Sequence, residues 1–103
     1  MEKRIAHYPL TELQTQIQRI GQQAFTRTAV RGGLDMGLDI ADMLAVIAGL
    51  THSDLYKSMT TYNDHTIWQD VYHATVSAGG KTKTAYIKLT MRDNVPVVQF
   101  KEK

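Results

Sequence analysis

Apolar residues recur every three to four positions through the first half of the chain and at alternate positions through the second. Leu10, Leu13, Ile17 and Ile20 share one helical face, with Thr11 as its cap, Glu12 in its first turn and Gly21 as its stop. A weaker helix is expected from about Thr26 to Arg31, ending at Gly32-Gly33. Asp39 caps a third helix, where Asp42 favours the helix dipole and Ile40, Met43, Leu44, Ile47 and Leu50 form a core stripe. Ser53 can cap one more short turn, Asp54 to Ser58, placing Tyr56 and Lys57 at its end, with residues 59–66 as the loop that follows.

From Ile67 the period falls to two. The runs 67–76, 84–91 and 95–101 alternate, separated by Gly79-Gly80 and by Asp93-Asn94. The expected class is therefore α+β: N-terminal helices packed on a small C-terminal antiparallel β-sheet of three strands. Two-residue turns pair Leu89 with Val98 and Ile87 with Phe100 on an apolar face for the helices. The opposite face then gathers Gln69, His73, Tyr86, Lys88, Gln99 and Lys101, with Tyr86 directly opposite Lys101.

Length and composition narrow this picture. The 103 residues, 43% of them hydrophobic, suit one domain over 1–103 with one modest core. The absence of cysteine excludes disulfides and thiolate zinc sites. The start, Met1-Glu2-Lys3-Arg4, does not read as a signal peptide, and Met43 to Leu50 falls far short of the roughly 20 apolar residues that span a bilayer. A cytoplasmic protein with no membrane contact is the expectation. Charge is uneven: residues 1–76 carry six Lys and Arg against eight acids, residues 77–103 six against two. A basic end suits a polyanion, although it also suits an ordinary solvated surface.

Candidate chemistry is sparse. A basic sheet face with aromatic rings suits single-stranded nucleic acid, since cations track phosphates and rings stack on bases; any exposed sheet face is also polar. His52, His65 and His73 have no established metal spacing. Asp64 and Asp70 could form a carboxylate pair, but Asp70 shares parity with Trp68 and Tyr72, where local hydrogen bonding is expected. No P-loop, dinucleotide fingerprint or nucleophile elbow is present.

One stretch is more specific. "YKSMTTYNDHTIWQDVY", residues 56–72, is too polar for core and too aromatic for a common loop. With "MEKR" at the start, "GLD" before the third helix and "FKEK" at the end, it closely resembles the motility quorum-sensing regulator (MqsR) family of toxins, across essentially the whole chain. The resemblance implies a fold like that of the RelE and YoeB toxins. It implies a type II toxin that cleaves mRNA at GC-containing sites (GCU, GCA) without the ribosome, and without metal or other cofactor. It also implies an MqsA-like antitoxin, with a zinc-binding N-terminal domain and a helix-turn-helix C-terminal domain, through which alone operator DNA would be bound. Carried over residue by residue, the family's catalytic positions fall on Lys57 in "YKSM", Gln69 in "WQD", Tyr86 in "AYIKLT" and Lys101 in "FKEK". His65 is a further candidate acid, and Lys81, Lys83, Lys88 and Arg92 are candidate RNA-binding cations. The segment "HATVSAGGKTKTA" looks longer than the family's, which leaves the register of Gln69 against Tyr86 open. A non-cleaving RNA-binding translation inhibitor and an antitoxin corepressor remain the rival readings.

Overall fold

The computed structural model describes residues 1–103. Three helices, α1 (Leu10–Ile20), α2 (Arg27–Asp35) and α3 (Ile40–Ala48), pack on one face of an antiparallel sheet. Its five strands, β1 (Glu2–Lys3), β2 (Leu55–Thr60), β3 (Trp68–Ala78), β4 (Lys81–Arg92) and β5 (Val95–Glu102), lie in chain order. The α+β class stands. The core is where the helical stripes Leu13, Ile17, Met43 and Ile47 meet Tyr72, Ile87, Leu89, Val98 and Phe100 from the sheet. No helix is long and apolar enough to cross a membrane.

Both hairpins follow their turn chemistry. Asp93, Asn94, Gly79 and Gly80 all have positive φ, as two-residue turns that match strand twist require. The expected register follows: Leu89 opposite Val98, Ile87 opposite Phe100 and Tyr86 opposite Lys101; the β3–β4 register, left open by the sequence, sets His73 opposite Tyr86.

Four local expectations are corrected. The first helix begins at Leu10 behind Pro9, and Thr11 lies inside it without a capping bond. Proline fits this boundary because its φ is preset and it has no N–H to satisfy. The second helix does not end at Gly32-Gly33 but continues to Asp35. Those glycines let the helix approach closely: a Cβ on Gly32 would collide with the Phe100 carbonyl, and one on Gly33 with the Met43 side chain. Asp39 caps the third helix as expected, in a reciprocal capping box with Asp42.

The remaining two corrections concern the sheet. The segment expected to form a turn from Asp54 to Ser58 is instead a 3-10 turn over His52–Asp54 followed by strand β2. A bulge between Leu55 and Lys57 breaks its alternation, and the inward position next along holds a serine rather than an apolar residue. The period of two is therefore hidden in the sequence. Strand β1 is only two residues long and carries no readable pattern.

Ser58 points inward because Asp70 does. Asp70 is completely buried and accepts three hydrogen bonds, from the Ser58 hydroxyl (2.6 Å), the His7 N–H (3.0 Å) and the Tyr8 N–H (2.9 Å). It is a structural carboxylate, not one of a pair with Asp64. Its neighbour Tyr72 is the converse case. The Tyr72 hydroxyl is buried with no partner, and burial, then the Asp70 charge, pushes its pKa up to about 12.

Opposite effects are expected at these two positions. Asp70→Ala strands three donors and should cost about 3 kcal/mol or more, whereas Tyr72→Phe removes an orphan and should gain about 1 kcal/mol. Urea unfolding of both variants checks this; a marked loss in Tyr72→Phe would reveal a partner for the hydroxyl.

Candidate nucleic-acid interface

The sheet face turned away from the helices is organised in rows that run across the strands. Register aligns Glu2, Met59 and Gln69 in one row, Lys57, Val71, Lys88 and Gln99 in the next, and His73, Tyr86 and Lys101 in a third. The β2 bulge turns Tyr56 onto the same face as Lys57, so Tyr56 joins the third row and stacks on His73 (centroids 4.5 Å apart, 18° between planes). His73 in turn lies 5.5 Å from the Tyr86 ring. Cations border this aromatic ladder. Lys101 Nζ stands 5.3 Å from the Tyr86 ring centroid, and Lys57 and Arg4 stand 5.5 and 5.7 Å from that of Tyr56. Arg4 is held there by donating to the Tyr56 carbonyl (3.1 Å).

Two clefts adjoin the rows. One, of about 320 Å³, is lined by Tyr86, Lys88, Gln99 and Lys101 together with Thr26 and Thr28 from the start of α2. The other, of about 480 Å³, includes Gln69, Lys88 and Arg92 with His65 and Tyr62 from the loop. Lys88 borders both. Its pKa is lowered, first by burial and then by the nearby charge of Lys101. Two cations crowded in this way are relieved by an anion between them.

The catalytic positions expected from the sequence divide between these clefts. Tyr86 and Lys101 line the first, and Gln69, only 7% exposed, lines the second. Lys57 sits on β2, and its Nζ is 2.6 Å from Glu2 Oε1. That hydrogen bond and charge raise the pKa of Lys57 and hold Glu2 below the usual carboxylate range. Arg92 and His65 both border the Gln69 cleft, so these two candidates lie beside the face. Lys81 and Lys83 do not. They pair with Ala78 and Val76 at the hairpin end, their parity turns them to the helix side, and Lys83 is 3.9 Å from Glu102. Asp64 organises the 61–67 loop through Thr66, whose bonds keep its pKa low. His52, His65 and His73 do not converge with other metal-binding side chains.

Sequence reasoning missed Glu2, Arg4 and Tyr56. The first two sit on or beside a two-residue strand, and the third is re-aimed by a bulge, so periodicity offers no signal for any of them.

The histidine side chains bear on stability. Burial depresses the pKa of His73, aided by Lys103, and that of His7, aided by Lys3 and opposed by Asp70. Both fold as neutral rings, while the unfolded chain protonates them below its ordinary histidine value near 6.5. Their contribution is complete above that value and is lost as pH falls through it. Urea midpoints should fall between about pH 7 and 5. His73→Phe, which keeps the stacked ring, should flatten that slope; an unchanged slope would assign it to other groups.

Comparison with known proteins adds to the geometry. The family model described as "Motility quorum-sensing regulator, toxin of MqsA" matches residues 5–102. A curated relative, the mRNA interferase toxin MqsR of Escherichia coli (strain K12), is 46% identical over 103 residues, spanning the whole of both chains.

Proposed function

Because the chain belongs to the family of the motility quorum-sensing regulator, toxin of MqsA, we propose that it is a toxin and endoribonuclease that cuts mRNA on the outer sheet face. The observation that carries this reading is the row Tyr56–His73–Tyr86–Lys101 beside the cations Lys57 and Lys88. Stacked rings suit unpaired bases, and flanking ammonium groups suit the phosphates between them.

The reaction is transesterification without metal. The RNA 2′-hydroxyl attacks the adjacent phosphorus and the 5′-oxygen leaves, giving a 2′,3′-cyclic phosphate and a 5′-hydroxyl end. Lys57, Lys88 and Lys101 stabilise the dianionic phosphorane. Tyr86 gives its phenolic proton to the leaving oxygen, with Lys101 beside the ring to stabilise the resulting charge. Gln69, in the adjoining cleft, positions the flanking nucleotide. Family membership further supports cleavage at GC-containing sites (GCU, GCA) without the ribosome. It supports neutralisation by an MqsA-like antitoxin that carries a zinc-binding domain and a helix-turn-helix domain.

Purified protein incubated with a defined RNA in EDTA should produce new 5′-hydroxyl ends at GC sites. Intact RNA would favour a non-cleaving binder or a corepressor, and activity restored only by magnesium would refute the mechanism. The Tyr86 hydroxyl has its own test. Tyr86→Phe keeps the ring, so single-turnover cleavage should slow by about 10²–10⁴-fold while RNA affinity holds. A Phe variant as fast as wild type, with Tyr86→Ala losing about 1–3 kcal/mol of binding, would make Tyr86 a stacking platform only.

A further inference from the structure

We infer that Glu2 is the general base of the cleavage reaction, accepting the proton of the attacking RNA 2′-hydroxyl while Lys57 holds its carboxylate at the site. This inference rests on the proposed ribonuclease reading and supplies the step that reading leaves open.

The outer face offers few proton acceptors. Its glutamines cannot take a proton at neutral pH, and its arginine and lysine side chains already hold theirs. His73 is neutral, but its Nε2 is buried and without a partner, between the rings of Tyr56 and Tyr86. Among the carboxylates, Asp70 faces inward and is fully engaged, Glu102 meets Lys83 at the hairpin end, and Asp64 is bound within its own loop. Glu2 alone touches a cation of the candidate site, 2.6 Å from Lys57. Its side chain is about half exposed (54%), so substrate can reach it.

Strand order supplies a second argument. Lys57 on β2 lies between Glu2 on β1 and Tyr86 on β4, in the row that separates theirs across the sheet. A phosphate seated on Lys57 therefore has a proton acceptor on one side and a proton donor on the other. In-line displacement requires that arrangement, since the attacking and leaving oxygens lie on opposite sides of phosphorus.

Electrostatics then favours the carboxylate over any lysine. In the free protein Lys57, by its hydrogen bond and charge, holds Glu2 ionised, with Arg4 and the terminal ammonium adding to the effect. The facing β3 residue of its row, Gln69, carries no charge. A bound phosphate raises the pKa of every neighbouring group. Lysines become poorer bases and more secure cations, whereas Glu2 moves up toward the working pH and becomes a better base.

The step balances. The 2′-O–H proton passes to a Glu2 oxygen, the 2′-O–P bond forms, the P–O5′ bond breaks, and the 5′-oxygen takes the Tyr86 proton. Glu2 then returns its proton through solvent to the tyrosinate, restoring both groups.

The experiment uses the full chain with Glu2→Gln and Glu2→Asp. It measures single-turnover cleavage of a short RNA against pH, and binding of the same RNA with a 2′-deoxy nucleotide at the cleavage site. Glu2→Gln should slow cleavage by about 10²–10⁴-fold, with the deoxy analogue bound as tightly or more tightly, and Glu2→Asp should recover part of the rate. For wild type, the acid limb of kcat/KM should lie below the usual carboxylate range and that of kcat above it; Glu2→Gln should lose the limb. Cleavage by Glu2→Gln at the wild-type rate or faster would reduce Glu2 to a shield over Lys57 and overturn the inference. Equal loss of cleavage and analogue binding would also overturn it, making Glu2 a structural clamp. A wild type that leaves RNA intact in EDTA fails the ribonuclease reading itself, a result distinct from either.

Discussion

No cation compensates the buried charge of Asp70; its hydrogen bonds come from the Ser58 hydroxyl and the backbone N–H groups of His7 and Tyr8. Two of those donors belong to the N-terminal segment, whose strand pairs with β2 over only two residues. A two-residue edge strand at a chain end would ordinarily fray. Bonds to an ionised acceptor are stronger than neutral ones, and burial strengthens them further. Once His7 and Tyr8 are tied down, His7 stacks on Trp68 at 5.0 Å and Lys3 stands 4.2 Å from the same ring. Glu2 and Arg4 follow, reaching the opposite face of the sheet at Lys57 and Tyr56. A carboxylate on the inner face thus determines which charges stand on the outer one.

That division of faces was legible in advance where period and turn chemistry agree. Alternation in β4 and β5, with Asp93-Asn94 between them, was sufficient to pair Tyr86 with Lys101, and the Gly79-Gly80 turn put His73 on the same face. Legibility stopped where one residue breaks the period. The bulge at Tyr56 hid β2, and with it the stack on His73. Gly32-Gly33 read as a helix end, although Gly32 serves a close crossing of α2 over β5 and Gly33 makes room for Met43 of α3. Local propensity cannot tell a glycine that stops a helix from one that lets it touch a neighbour. Strand parity put Gln69, Tyr86 and Lys101 on one face, but the candidate catalytic role of these residues and of Lys57 was legible only through family resemblance, because the four come from four different strands.

The crossing of α2 over β5 has a consequence for the site. Gly32 abuts the backbone at Phe100 and Lys101, so the helix fixes the height of the strand that carries Lys101. Thr26, whose hydroxyl caps α2 by accepting from the Ala29 N–H, also donates its own N–H to the Val98 carbonyl. The start of α2 is therefore bonded to β5, and Thr26 and Thr28 line the cleft beside Lys88 and Lys101. A core packing decision, one glycine where α2 crosses β5, thus bears on the wall of the candidate RNA cleft.

Net charge alone understates the field of this face. Lys83 meets Glu102 and Arg31 meets Asp35, so two of the chain's cations are offset away from the rows. Lys88 and Lys101 have no acidic partner, and the pKa of Lys88 is lowered first by burial and then by the nearby charge of Lys101. Like charges held close together are disfavoured, and on the proposed reading a phosphate between them would relieve that cost. Lys57 differs because Glu2 already neutralises it. On the proposed reading, a phosphate that reaches Lys57 shares the ammonium with that carboxylate, which stays beside it as proton acceptor. On the proposed reading, two neighbouring cations and a third already shared with Glu2 let the face take an anion without exposing a cluster of three bare charges.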